Sequence, residues 1–262
     1  LYIDSRAVVS LLNETVGNLN WQSKFYEAKG QLIGEIGIYD KEKDMWIWKA
    51  PIQGHRYLMS IDNSRGSSDD ATALEIIDMD GVEEDGTPCL EQVAEYNGKL
   101  TGDNIGELAY QYGVMYNNAF IVVEDIGGYG SATILMLMRL GYKNLYYDDP
   151  SLKNYTDPNE ATSLKVTKEG LPGFHSSSVR FQMLSNFANM VKTNQFKIRS
   201  KRVCNELDTW VFVPGSRGMD HKDGCHDDTL TCLSMTTFVI NYSMKKFIAA
   251  KEKDKAILKA WT

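Results

Sequence analysis

The chain has 262 residues, with 28 Lys+Arg against 35 Asp+Glu and a formal net charge of −7. That length suits one large domain with flanking segments, and 43% hydrophobic with 24% charged residues excludes a disordered composition. No apolar run approaches the roughly 18 residues a membrane-spanning helix needs, and the negative charge argues against coating nucleic acid by bulk electrostatics.

The first 55 residues read as a lead-in that closes a preceding domain and includes its linker, with a charged turn before Met45-Trp-Ile-Trp48. From Arg56 the pattern becomes regular. Residues 57–63, 72–78 and 90–96 are apolar or alternating runs separated by turn residues, which predicts an antiparallel meander. Residues 101–118 carry a helical face of Ile105, Leu108, Ala109, Tyr112 and Met115, with Thr101 or Asp103 as cap. The dense β-run 119–124 suits a central strand covered on both faces. Helices are predicted over 131–140, ended by Gly141, and over 179–193, with a strand over 144–147 between them. Residues 205–212 fit a short helix or a strand, and 227–244 a long final helix. A meander followed by alternating helices and strands implies an α/β fold with a mixed sheet flanked by helices.

The cysteines, Cys89, Cys204, Cys225 and Cys232, form no CxxC pair. Apart from the adjacent Cys225-His226, none has His at zinc-finger spacing, so reduced thiols are expected rather than a zinc site or disulfide framework.

Several acids fall at element ends. Asp62 closes the first meander strand, Glu124 closes the central strand, and Asp227-Asp228 open the last helix. Each has a plain reading taken alone: turn chemistry for Asp62, a solvated strand end for Glu124, an N-cap for Asp227, and a favourable helix dipole for Asp228. Together they supply the hard oxygen ligands that paired divalent ions require, and Mg²⁺ suits carboxylate, water and phosphate oxygens.

These segments resemble a known family. Tyr57-Leu-Met-Ser-Ile-Asp62 with Ser64-Arg-Gly66 and Asp69-Asp-Ala-Thr-Ala-Leu74 is similar to the opening nuclease motif of large terminase subunits from tailed bacteriophages. Ile121-Val-Val-Glu124 before Gly127-Gly-Tyr-Gly130 resembles their second acidic motif, and Gly224-Cys-His-Asp-Asp228 their third. The resemblance implies an RNase H/resolvase-like domain over residues 56–243, followed by a C-terminal helix or tail over 244–262. It also implies an endonuclease that cuts concatemeric double-stranded viral DNA during genome packaging by two-metal hydrolysis with Mg²⁺ or Mn²⁺. Asp62, Glu124 and Asp228 are carried over as catalytic metal ligands, Asp62 bridging two ions, with Asp227 an open alternative to Asp228. Asp125 departs from the pattern and is expected as an accessory acid, and His226 as an outer residue or a surface histidine.

The Walker-type phosphate loop of a motor domain is absent: Gly98-Lys99 is the only Gly-Lys pair, and Val93 stands where its first glycine belongs. The resemblance therefore implies a nuclease domain alone, whose partners are DNA, the ATPase domain of the same full-length chain, the portal ring and the small terminase subunit. Its expected location is the host cytoplasm, transiently at the procapsid, with no membrane partner.

Residues 143–202 form a basic region within the acidic chain, including Lys197, Arg199, Lys201 and Arg202, with Lys165, Lys168 and Arg180 as preferred DNA contacts. Three readings stand beside the terminase nuclease. Gly128-Tyr-Gly130 begins like a dinucleotide-binding turn, although Thr133 replaces the last glycine. A docking module without catalysis, or a related junction resolvase, also accommodates the acids.

Overall fold

The computed structural model describes residues 38–40, 44–64, 71–83, 85–147, 172–212, 219–222 and 224–240. Lys165, Lys168, residues 65–70 and residues 241–262 lie outside the described residues.

In chain order the elements are β1 (Ile38–Asp40), β2 (Met45–Ile47), β3 (Tyr57–Asp62), β4 (Thr72–Asp78), β5 (Leu90–Gly98), α1 (Gly102–Met115) and β6 (Phe120–Val123). There follow α2 (Ser131–Arg139), α3 (Arg180–Lys192), β7 (Phe196–Lys197), α4 (Lys201–Thr209), β8 (Trp210–Phe212), β9 (Met219–His221) and α5 (Asp228–Phe238). Among the described residues a seven-stranded mixed sheet runs in the order β1-β2-β5-β4-β3-β6, with β7 joined to β5, and β8 pairs antiparallel with β9 in a separate two-stranded sheet. The predicted meander is present as antiparallel β3-β4-β5, and β6 adds parallel to β3. From the lead-in, β1 and β2 extend this same sheet by pairing antiparallel onto β5.

The runs in β3, β4 and β6 have little polar interruption because both sheet faces are covered. On one face α1 and α2 pack Ile105, Leu108, Tyr112, Ile134 and Leu137 against Met59, Ile61, Ile76 and Val123. On the other, Phe187 and Val191 of α3, Val203 and Leu207 of α4, and Leu230 and Leu233 of α5 enclose Ile77. Burying each such leucine is worth about 1.5–3 kcal/mol. Helix α5 is buried from Thr229 through Phe238, so it has no solvent stripe. Two of its hydroxyls find acceptors about one turn back: Ser234 donates to Leu230 C=O at 2.7 Å and Thr237 to Ser234 C=O at 2.9 Å. Ser60 Oγ donates to the Cys232 carbonyl at 2.7 Å, which ties α5 to the middle of β3.

Some predicted elements differ. Thr101 is extended but makes no side-chain cap bond to α1. That helix stops at Met115 because Asn117 and Asn118 take left-handed φ values of 56°, which asparagine tolerates. Residues 144–147 form isolated bridges, Leu145 to Ile121 and Tyr147 to Gly173, rather than a strand, because their pairing alternates between two partners. Residues 205–212 combine both expected types: the end of α4, then β8.

Candidate metal centre

The site follows from strand register. Parallel pairing of β3 with β6 runs from Leu58↔Phe120 to Ile61↔Val123, and the next backbone bond takes Glu124 N–H to Ile61 C=O at 2.9 Å. Side chains alternate along a strand, so Leu58, Ser60 and Asp62 face α5, as do Val122 and Glu124; Leu58 and Val122 pack with Cys232 of that helix. The start of α5, Asp227-Asp228, completes a cleft of about 210 Å³ that is also lined by Arg180.

The carboxyl groups repel one another. Burial raises the Asp62 pKa well above the ordinary Asp value, reinforced by the charge of Glu124, a hydrogen bond with it, and the charges of Asp228 and Asp227. Glu124 also accepts a short hydrogen bond from the Ser176 hydroxyl. Arg180 Nη2 donates to Asp227 Oδ2 at 2.5 Å, and His221 Nδ1 lies 3.8 Å from Asp227 Oδ1. Ala71 N–H donates to Asp228 Oδ2 at 3.2 Å.

This donor set suits a hard divalent cation: carboxylate oxygens from two strand ends and a helix start, facing one cleft with their negative charge incompletely balanced. Among the described residues no three His, Cys, Asp or Glu side chains stand in a ready-made cage.

The glycines after Glu124 have a local cause. Gly127 and Gly128 take φ values of 67° and 84°. At Gly130 a Cβ would lie 2.1 Å from the Glu124 carbonyl oxygen. A tight strand-to-helix turn therefore explains them without a bound dinucleotide.

Asp62, Glu124, Asp227, Asp228 and Arg180 all line the cleft. Asp125 and His226 are not among its lining residues. Asp125 accepts from Ser131 Oγ at 3.1 Å and fixes the turn into α2, while His226 is exposed. Arg199 and Arg202, read from sequence within a DNA-facing basic region, instead pair with Glu91 and Glu95 of β5. The guanidinium of Arg202 also lies 4.6 Å over the Trp46 ring. Sequence reasoning missed Ser176 and Glu206, whose partners are distant in sequence, and His221, which lies a few residues before Asp227; none carries a local motif.

No family model matches the sequence. No curated protein matches it either. Several solved structures resemble it. The large terminase nuclease from thermophilic phage G20c with bound magnesium matches at TM-score 0.54 and 17% identity, over 80% of this chain and 89% of that one. The same phage's nuclease with bound cobalt matches at TM-score 0.55 and 16% identity, with the same coverage. A further G20c nuclease structure gives 0.52 and 14%, over 79% and 89%. The chain thus shares the fold of these phage large terminase nucleases, a mixed sheet flanked by helices, with its clustered carboxylates at the ends of the neighbouring strands β3 and β6, the latter last in the sheet order rather than central as predicted.

Proposed function

We propose that this chain is a metal-dependent endonuclease domain that cuts concatemeric double-stranded viral DNA during genome packaging. The observation that carries the reading is the convergence of Asp62, Glu124 and Asp228 on one cleft within this fold.

Asp62, Glu124 and Asp228 would hold one or two divalent ions, Mg²⁺ or Mn²⁺, with Asp62 central to them. When bound, such ions supply charge stabilisation at the phosphate and make an attacking water acidic enough to react near neutral pH. The protein's own groups provide the rest. The β3–β6 register holds Asp62 and Glu124 side by side, and Ser176 orients Glu124 by donating to Oε1. Asp227, engaged by Arg180, orients that guanidinium at the cleft, where its remaining N–H donors face an incoming phosphate. This division of labour favours Asp228 over Asp227 as the third ligand.

By the same reading the domain belongs to a longer chain with an ATPase motor. It works with the portal ring and small terminase subunit at the procapsid in the host cytoplasm.

The test is plasmid cutting with Mg²⁺ or Mn²⁺ by D62N, E124Q and D228N, each verified as folded. Loss of cutting in all three is expected, and full activity in all three would overturn the assignment.

A further inference from the structure

We infer that Glu206 is a positioning residue for the carboxylate centre: reaching across from α4, it caps α5 and so fixes Asp227 and Asp228 at the cleft. The inference rests on the metal-nuclease reading above.

A helix begins with N–H groups that have no partner within the helix. In α5 the first intrahelical bond runs from Thr231 N–H to Asp227 C=O at 2.8 Å, so the amides before Thr231 need outside acceptors. Asp227 occupies the N-cap position, whose side chain ordinarily serves this purpose. It makes no cap bond, and its Oδ2 is engaged by Arg180. Glu206 takes the role instead. Its Oε2 accepts from Leu230 N–H at 2.7 Å and its Oε1 from Thr229 N–H at 3.4 Å.

The clamp has a firm base. Helix α4 is anchored by buried Val203, Cys204 and Leu207, which pack with Leu230 and Leu233 of α5. Cys232, within a turn of the clamp, is tied to Ser60 of β3, the strand that ends in Asp62. Glu206 and Ser60 therefore hold α5 at two points in its first turns, and the aspartates at its tip gain a fixed height relative to Asp62. Burial, the largest effect, with added repulsion from Glu95 and Asp228, pushes Glu206 up to about 8 against the lowering by hydrogen bonding with Thr229 and Leu230.

The test is Mn²⁺ binding, followed by the spectroscopic signal of free Mn²⁺, in wild type, E206A, E206D and E206Q, with folding checked by circular dichroism. Asp is too short to reach Leu230 N–H, whereas the Gln carbonyl still accepts from it. E206A and E206D should bind Mn²⁺ more weakly by roughly 10–100-fold, as for other residues that orient metal ligands, and E206Q should keep near-wild-type affinity. If E206A fails to fold, E206D decides. Wild-type affinity in folded E206D, or a loss in E206Q as large as in E206D, overturns the clamp while leaving the metal reading intact. Absence of Mn²⁺ binding by the wild type overturns the metal reading and this role with it.

Discussion

Asp62 and Glu124 stand one residue beyond the paired Ile61 and Val123, at the carboxyl ends of two parallel neighbouring strands. The Glu124 N–H closes that step on the Ile61 carbonyl at 2.9 Å. Strand alternation then points both carboxyls to the face covered by α5, and a slip of one residue in either strand would turn one of them away. The relationship makes the site sensitive to charge at its centre, and the first prediction follows from it. D62N, E124Q and D228N should each lower cutting by at least about 100-fold, exceeding the usual loss on removing an outer orienting residue, as measured by plasmid nicking and linearisation.

The second prediction concerns pH. Burial and the charges of Glu124, Asp228 and Asp227 raise Asp62 well above its unfolded value. A carboxyl shifted upward binds its proton more tightly in the folded state. The stability it contributes is intact below the unfolded value of about 3.9 and is lost as pH rises through the folded one. Metal-free D62N should therefore be more stable than wild type at pH 8, with the difference vanishing near pH 4. Urea denaturation at the two pH values measures this. Mn²⁺ should stabilise the wild type at pH 8 and do so less as pH falls, because binding needs the ionised carboxylates.

Arg180 gives a third. In the cleft it pairs with Asp227. If it also meets a backbone phosphate, R180E should weaken DNA binding across sequences and reduce the logarithmic salt slope by about 1. Fluorescence anisotropy over a salt series is the measurement, with Ca²⁺ present to support binding without turnover. An unchanged slope removes Arg180 from the DNA interface.

Arg202 should behave oppositely. Its guanidinium pairs with Glu95, whose side chain is 0% exposed, and rests over Trp46. R202A leaves that carboxylate without this ion-pair partner and should destabilise the fold by about 3–5 kcal/mol while leaving the salt slope of DNA binding unchanged. Chemical denaturation and the same anisotropy series separate the two effects.

What the sequence revealed, and what it hid, divides along one physical line. Strands β3, β4 and β6 were readable because burial on both faces forces continuous apolar runs such as Phe120-Ile-Val-Val123. Asp62, Glu124 and Asp228 stood out because each interrupts apolar chemistry where an element ends or begins. Pairing partners were not readable. Nothing local shows that Met45–Ile47 joins β5, or that Arg199 and Arg202 would be matched by Glu91 and Glu95, 108 and 107 residues earlier. A one-dimensional basic cluster reports charge and not its partner. Ser176 and Glu206 were missed for the same reason: the first serves Glu124 from 52 residues away and the second serves Leu230 from 24.

The central claim is that Asp62, Glu124 and Asp228 together bind divalent metal. Anomalous diffraction from crystals soaked in Mn²⁺ tests it most directly. One or two anomalous peaks are predicted within coordination distance of these three carboxylates, and D62N crystals should lose them. Strong peaks elsewhere with none in this cleft at saturating Mn²⁺, or peaks that persist unchanged in D62N, would contradict it.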